Sequence, residues 1–486
     1  MIPDTLRARM GWLHAWIGFL SGLLLVCVFI TGTLAVFDTE LTRWLQPEVP
    51  PTAAELNDAA LDKMLPSVRS LLLKGEKPFI ALPSERDPVL RLSYHDGHEV
   101  LTQPFAPQSG EQIATRQTVG GTFFYDLHYT LRSGSVGITL VSFAGLMLLT
   151  VLASGVIIHL KALIPDLLVL RPFASRLRAW LDVHVLASVP FLPFVFMMAY
   201  TGTFLHTRSV LPPESYVSLA KEMLVPSPSK SEPASPDRQV PQLPSLPPLL
   251  HAAEKTLGVG RVGSILFLPD TILFMRTDAS GPLRTREHVD FSYDSRFVRH
   301  ILLTSPLTRA QQVMEGIHYI RWGGAGMRWL YFFSGSITTI MIASGLILFL
   351  MKRRKTSGDR TLFQLAEGLS ISVLVGLPLA CAGLLWGNRL IPQGHESRIN
   401  AEILVFFSIW MAAAFFGFSG CFIKKPFEAW KILLIAFSLL TVGLGFLDAL
   451  TRPGWQPMHA PTVFAAVDLI AFCMGLVSLQ IARRLS

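Results

Sequence analysis

Two histidines, His14 and His184, stand at the openings of long apolar stretches, and two more, His128 and His318, stand shortly before others. A neutral imidazole is a good axial ligand for haem iron, and two from different helices can clamp a porphyrin between them. Small residues beside a ligand let a flat macrocycle approach the backbone. His14, Gly18 and Gly22 are spaced i, i+4 and i+8 and share one helix face, whereas Ser188 and Leu192 follow His184 at those places. His128 is followed by Gly134, and His318 by Gly323 and Gly324. The plainer readings are that an interfacial histidine caps a helix or lies at headgroup level, and that Gly18-x-x-x-Gly22 serves helix packing alone.

Recurrence favours ligation. A shift of 170 residues places Leu13-His14 on Val183-His184 and Thr31-Gly32-Thr33 on Thr201-Gly202-Thr203. A shift of 190 places His128-Tyr129 on His318-Tyr319, Gly134 on Gly324, and Ala153-Ser154-Gly155 on Ala343-Ser344-Gly345. The first part of the chain therefore reads as an internal tandem repeat, each copy holding a histidine, a span, a polar domain, a second histidine and a returning span. Parallel copies are related by a pseudo-two-fold axis along the membrane normal, which pairs His14 with His184 and His128 with His318. His159 and His206 are lesser candidates because the same shifts place Phe349 and Val36 opposite them. His95, His98, His251, His288 and His300 read as solvated residues without zinc-like spacing.

The elements that must position these residues are membrane spans. Of 486 residues 51% are apolar and 16% charged, and the mean hydropathy is +0.45, far from the roughly 25% charged of a soluble domain. Apolar runs of about 20 residues with at most one charged residue each fall at 11–37, 138–160, 185–205, 329–351, 368–386, 401–422, 430–447 and 461–481. Eight spans put both termini on one side. If that side is the cytoplasm, its short segments hold sixteen Lys and Arg, from Arg7 to Arg484, against Arg389, Arg398 and Arg452 in the short outer loops. This satisfies the positive-inside rule, so the net charge of +8 sets a topology and does not indicate nucleic acid. The first run lacks a cleavage site and reads as an uncleaved anchor.

Two polar segments then lie outside, 38–137 and 206–328, each large enough for a small domain. In the first, a helix at 54–73 precedes strands at Phe79–Leu82 and Val89–Tyr94; in the second, a helix at 249–257 precedes strands at Ser264–Leu268, Ile272–Arg276 and Val289–Tyr293. Each reads as an α+β module, the second with a Pro/Ser-rich linker at 226–248. The expected fold is an integral membrane all-α bundle of about eight transmembrane helices with two exterior α+β modules. By residue these divide as 1–37, 38–137, 138–205, 206–328, 329–360 and a four-span region at 361–486. The four cysteines all fall in spans, leaving no disulfide framework for the modules. Asp468, near the outer end of the last span, reads as hydrated.

Leu13-His14-Ala15-Trp16-Ile17-Gly18, the Thr-Gly pairs at the far end of that span, Leu127-His128 before the second span and the paired modules resemble the PepSY-associated transmembrane family over about residues 6–355. The resemblance implies a bacterial inner-membrane protein with cytoplasmic termini and two periplasmic PepSY-like modules. It implies two b-type haems held by His14, His184, His128 and His318, and electrons passed outward from an unidentified donor to a ferric siderophore or other Fe(III) chelate. The sequence departs from the family pattern after His184, where Trp and Gly are missing, and at Tyr129, where a basic residue is expected; spans five to eight find no counterpart. Two rival readings are a siderophore or small-molecule transporter, which the scarcity of charged and amide residues in the first four spans disfavours, and a haem-free sensor or scaffold, which leaves the histidines of the first and third spans without a purpose.

Overall fold

The computed structural model describes residues 5–50, 55–95, 100–159, 169–205, 241–452 and 462–485. His98, His206 and positions 226–240 of the Pro/Ser-rich linker lie outside the described residues. The chain divides into two compact units, one formed from residues 1–41, 120–211 and 328–486 and the other from 42–119 and 212–327.

The first unit is helical because its apolar runs are long and carry polar starts. Thr5 caps α1 (Leu6–Ala35), its hydroxyl accepting from the Ala8 N–H. The short α2 (Asp38–Leu45) follows it. Next come α5 (Thr122–Thr130), α6 (Gly134–His159), α7 (Arg176–Ser188), α8 (Leu192–Leu205) and α11 (Gly324–Ser357). Four C-terminal helices complete it: α12 (Thr361–Leu390), α13 (Arg398–Phe422), α14 (Pro426–Thr451) and α15 (Thr462–Arg483). Among the described residues, seven helices are long and apolar enough to cross a membrane, and α7 with α8 makes an eighth span if counted as one.

That eighth span is not straight. α7 and α8 are bent by 66°, and Pro190 and Pro193 lie at the break, where missing N–H groups and ring clashes interrupt the helical ladder. The span begins at Arg176 rather than at the expected 185, so His184 lies inside a helix. α12 contains one π turn, Ser372–Gly376. Pro378 explains it, since its ring would collide with the Leu374 carbonyl in regular α geometry. The Ser372 carbonyl there also accepts the Trp410 indole N–H at 3.0 Å.

The bundle core joins α1, α6, α8, α11 and α12 through Phe19, Leu148, Val195, Leu346 and Phe363. Two helix crossings are close. Thr33 of α1 lies against Gly335 of α11, and Thr203 of α8 against Gly145 of α6, with each hydroxyl 2.4 Å from where a Cβ would stand. Arg389, Arg398 and Arg452, expected as loop charges, instead lie at helix ends, the first two buried and the third half-buried. Arg389 pairs with Asp448 at 2.7 Å, Arg398 with Glu402 at 3.4 Å, and Arg452 with Asp448. Each finds a carboxylate on its own or a neighbouring helix, which makes removal from water tolerable. Asp468 is half-buried against Gly445. All four cysteines are free.

The second unit is an α/β layer pair. Its helices are α3 (Asp58–Lys63), α4 (Leu65–Leu73), α9 (Leu246–Leu257) and α10 (Pro306–Tyr319). Its strands are β1 (Phe79–Ala81), β2 (Leu90–His95), β3 (Val100–Phe105), β4 (Val262–Phe267), β5 (Thr271–Arg276), β6 (His288–Ser292) and β7 (Phe297–Ile301). The two segments do not form two separate sheets. β1 pairs antiparallel with β4, Ile80 opposite Ile265, giving one seven-stranded sheet ordered β3-β2-β1-β4-β5-β6-β7. One core runs beneath it, with Leu61, Met64 and Leu90 from the first segment beside Leu250, Phe267, Phe274 and Val289 from the second. Joining at β1 and β4 removes two exposed edges that separate modules would leave.

Of the histidines expected to be solvated, His288 is buried, 2% exposed. Its Nδ1–H donates to the Arg286 carbonyl at 2.9 Å. It sits on β6 beside fully buried Asp290, which Arg299 of the neighbouring strand contacts at 2.7 Å. Strand alternation hid this, since both faces of β6 are covered. His251 is exposed and bonded to Asp58 at 2.8 Å, and His300 is bonded to Glu287 at 2.9 Å.

Candidate histidine site

A mid-helix carbonyl is normally shielded by the side chain four residues later, because each Cα–Cβ bond leans toward the helix N-terminus. Glycine at that place leaves the carbonyl open to a group from another helix. Three histidines use such openings. His14 Nδ1 lies 3.0 Å from the Val151 carbonyl, and Gly155 stands four residues on. His184 Nδ1 lies 2.8 Å from the Met341 carbonyl, with Gly345 four residues on. His128 Nδ1 lies 2.7 Å from the Val28 carbonyl, with Gly32 in the same relation. A Cβ on these glycines would stand 3.0 Å, 3.2 Å and 2.7 Å from the respective imidazole Cε1, so the rings are seated directly on the glycine backbone.

Serine completes two of the seats. Ser154 Oγ is 3.3 Å from His14 Nδ1 and donates to the Val151 carbonyl at 2.9 Å. Ser344 Oγ is 3.2 Å from His184 Nδ1 and donates to the Met341 carbonyl at 2.8 Å. The two seats are the same construction, since Val151, Ser154 and Gly155 fall on Met341, Ser344 and Gly345 at a shift of 190 while the histidines differ by 170.

The hydrogen bonds decide the chemistry of the rings. A carbonyl only accepts, so Nδ1 carries the hydrogen and Nε2 of a neutral ring keeps its lone pair. This is the usual arrangement of a metal-binding histidine, whose second nitrogen donates to a carbonyl that fixes tautomer and orientation. The two rings meet across the bundle with centroids 6.2 Å apart and planes crossing at 80°. Two imidazoles bound to one metal from opposite sides at about 2 Å each would have centroids roughly 6 Å apart. The residues present thus fit a bis-imidazole site. Among the described residues no group of three or more His, Cys, Asp or Glu could hold a metal ion.

The other expected site residues divide. His318 lies in the last turn of α10, in the other compact unit from His128. His159 ends α6, one turn beyond the glycine that seats His14. Gly18 and Gly22 abut Val151 at 3.7 Å and Leu346 at 3.0 Å, which is helix packing. Gly134 and Gly324 have φ of +57° and +66° with no atom within 4 Å of a Cβ. They occupy the left-handed turn opening α6 and α11, a conformation that glycine adopts readily. The residues that do form the seats, Ser154, Gly155, Ser344, Gly345 and the carbonyls of Val151 and Met341, were visible in the sequence only as markers of register. At the same end of the bundle Arg353 lies over the rings of Phe349 at 3.6 Å and Trp16 at 4.7 Å.

No curated protein matches the chain. Residues 11–352 match the model of the PepSY-associated TM region, a stretch that contains every seat and both candidate histidine pairs and ends where the four C-terminal helices begin. With its apolar helices, that match makes the chain a multi-pass membrane protein of the PepSY-associated transmembrane family.

Proposed function

We propose that this protein is a haem-containing reductase that passes electrons across the bacterial inner membrane to a periplasmic ferric siderophore or similar Fe(III) chelate. The observation that carries the reading is the pair His14 and His184, with both Nδ1 atoms bonded to carbonyls and ring centroids 6.2 Å apart. A structural helix contact does not need this arrangement. Mid-helix carbonyls are already bonded within their helices, so a second donor aimed at each, twice in register, serves to orient the imidazole.

His14 and His184 would hold one b-type haem, whose iron supplies reversible one-electron transfer between Fe(III) and Fe(II). The protein's own part is to fix the two ligands through the Val151 and Met341 seats and to keep water away with the apolar walls of α1, α6, α8 and α11. His128, seated in the same manner on Val28 and Gly32, is the candidate ligand for a second haem, with His318 its counterpart in the repeat. The recurrence of the seats supports the reading of residues 6–355 as a duplicated unit. The charge distribution supports cytoplasmic termini and a periplasmic α/β unit. An apolar layer of about 30 Å is the reason for two cofactors in series. Reduction of the chelated iron to Fe(II) would loosen a chelator suited to Fe(III).

The test is spectroscopic. Purified chain from haem-sufficient cells should show low-spin b-type bands on reduction and about two haems per chain. His14→Ala or His184→Ala should each remove the same haem. A colourless preparation, or haem content indifferent to both substitutions, would refute the proposal.

A further inference from the structure

A ligand bound at His14 and His184 has little freedom in how its charged groups point. Residues 15–37, 135–158, 185–205 and 329–351 contain no Lys, Arg or His. From the seats toward the His128 end, the first four spans therefore offer no cation, and an anionic group pushed that way would be stranded in apolar surroundings. In the opposite direction two basic side chains lie on the seat faces themselves. His159 stands four residues beyond Gly155, one turn and about 6 Å along α6; Lys352 stands seven beyond Gly345, two turns and about 10 Å along α11. Arg353, the next cation on α11, is engaged over Phe349 and Trp16.

We infer that His159 and Lys352 form a carboxylate seat that binds the acidic edge of the macrocycle held by His14 and His184 and turns it toward the N-terminal end of α1. The inference rests on the haem reading above. It gives His159, which the repeat pairs with Phe349 and which therefore has no counterpart ligand, a role at one end of the cofactor rather than at its iron. It also makes the site asymmetric, since Phe349 is packed against Phe19 at 4.1 Å and Trp16 at 5.3 Å, in the place that His159 occupies in the first copy. Because the two basic side chains sit on α6 and α11, the helices that also carry Val151 and Met341, the iron ligands and the carboxylate contacts are set by the same pair of elements.

The test uses full-length apoprotein from haem-deficient cells, loaded either with haem b or with its dimethyl ester, which has the same iron and ring but no free carboxylate. The cofactor followed is the one lost in His14→Ala. Its release to an apomyoglobin acceptor should be about tenfold faster for the ester than for haem b, the scale of one charge-assisted hydrogen bond. His159→Gln/Lys352→Gln should release both at the faster rate and shift the midpoint potential of that haem while its low-spin bands persist. Equal release of ester and haem b from the unsubstituted chain, or a double variant that still prefers haem b, overturns the carboxylate seat and leaves the histidine ligation standing. Failure of the unsubstituted apoprotein to form any low-spin species overturns both.

Discussion

At the scale of single residues, the seats depend on the absence of a methyl group. A Cβ on Gly32 would stand 2.6 Å from His128 Nδ1, one on Gly155 3.0 Å from His14 Cε1, and one on Gly345 3.2 Å from His184 Cε1. Alanine at these positions covers the carbonyl that each imidazole uses and forces the ring away, a kind of overpacking that costs about 1–3 kcal/mol. The expected order of damage is Gly32→Ala, then Gly155→Ala, then Gly345→Ala, read as loss of haem per chain. Gly18→Ala is the control, because its Cβ would meet only Val151 at an ordinary 3.7 Å. Equal tolerance of all four would remove the seat as an explanation of the glycines. The histidines themselves were legible in the sequence because they recur. Their glycines were not, since a carbonyl opened by the residue four places later is a property of helix geometry and leaves no chemical group in the sequence to notice.

At the scale of elements, apolar length was enough to find the long apolar helices among the described residues, while proline decided their shapes. The bend between α7 and α8 and the π turn of α12 follow from Pro190, Pro193 and Pro378, yet a bend does not alter hydropathy and so does not show in it. Pairing between β1 and β4 was also illegible, because Ile80 and Ile265 meet across two spans and nothing in a three-residue strand names its partner. Within the α/β unit the region around β6 carries a testable electrostatic load. Burial alone would raise the pKa of Glu287, but hydrogen bonds from Arg276 at 2.6 Å and His300 at 2.9 Å prevail and hold it below the usual carboxylate range. With its folded pKa depressed, its stabilisation is fully present above the unfolded value of about 4.3 and is lost as pH falls through the folded value. Thermal unfolding of this unit in the full-length protein should therefore become easier below about pH 4. In Glu287→Gln that part of the pH dependence should disappear, and an unchanged pH profile would assign the acid sensitivity elsewhere.

At the scale of the whole molecule, the family resemblance was legible over about residues 6–355, and the family model matches 11–352; the last four helices were legible as spans, but their packing was not. Their buried ion pairs explain why: Arg389 and Asp448 are partners on different helices, and as isolated sequence each reads as a loop charge or a helix-end polar residue. The structure gives these helices a mechanical relation to the rest of their unit. Phe123 of α5 is fully buried against Phe406 of α13, with ring centroids 4.8 Å apart at 71°, and α5 is the nine-residue helix that carries His128. A helix so short has little stability of its own and depends on packing, whereas His14 and His184 are seated on the long helices α1, α6, α7 and α11. If the histidines hold haem as proposed, a chain ending after Ser357 should therefore keep the spectrum assigned to His14 and His184 and lose the one assigned to His128, and Phe406→Ala should do the same more mildly. Simultaneous loss of both would mean that the C-terminal helices hold up the whole bundle, and retention of both would show that α5 stands without them. A selective loss at His128 would give residues 361–486 their function as the brace of the second histidine site.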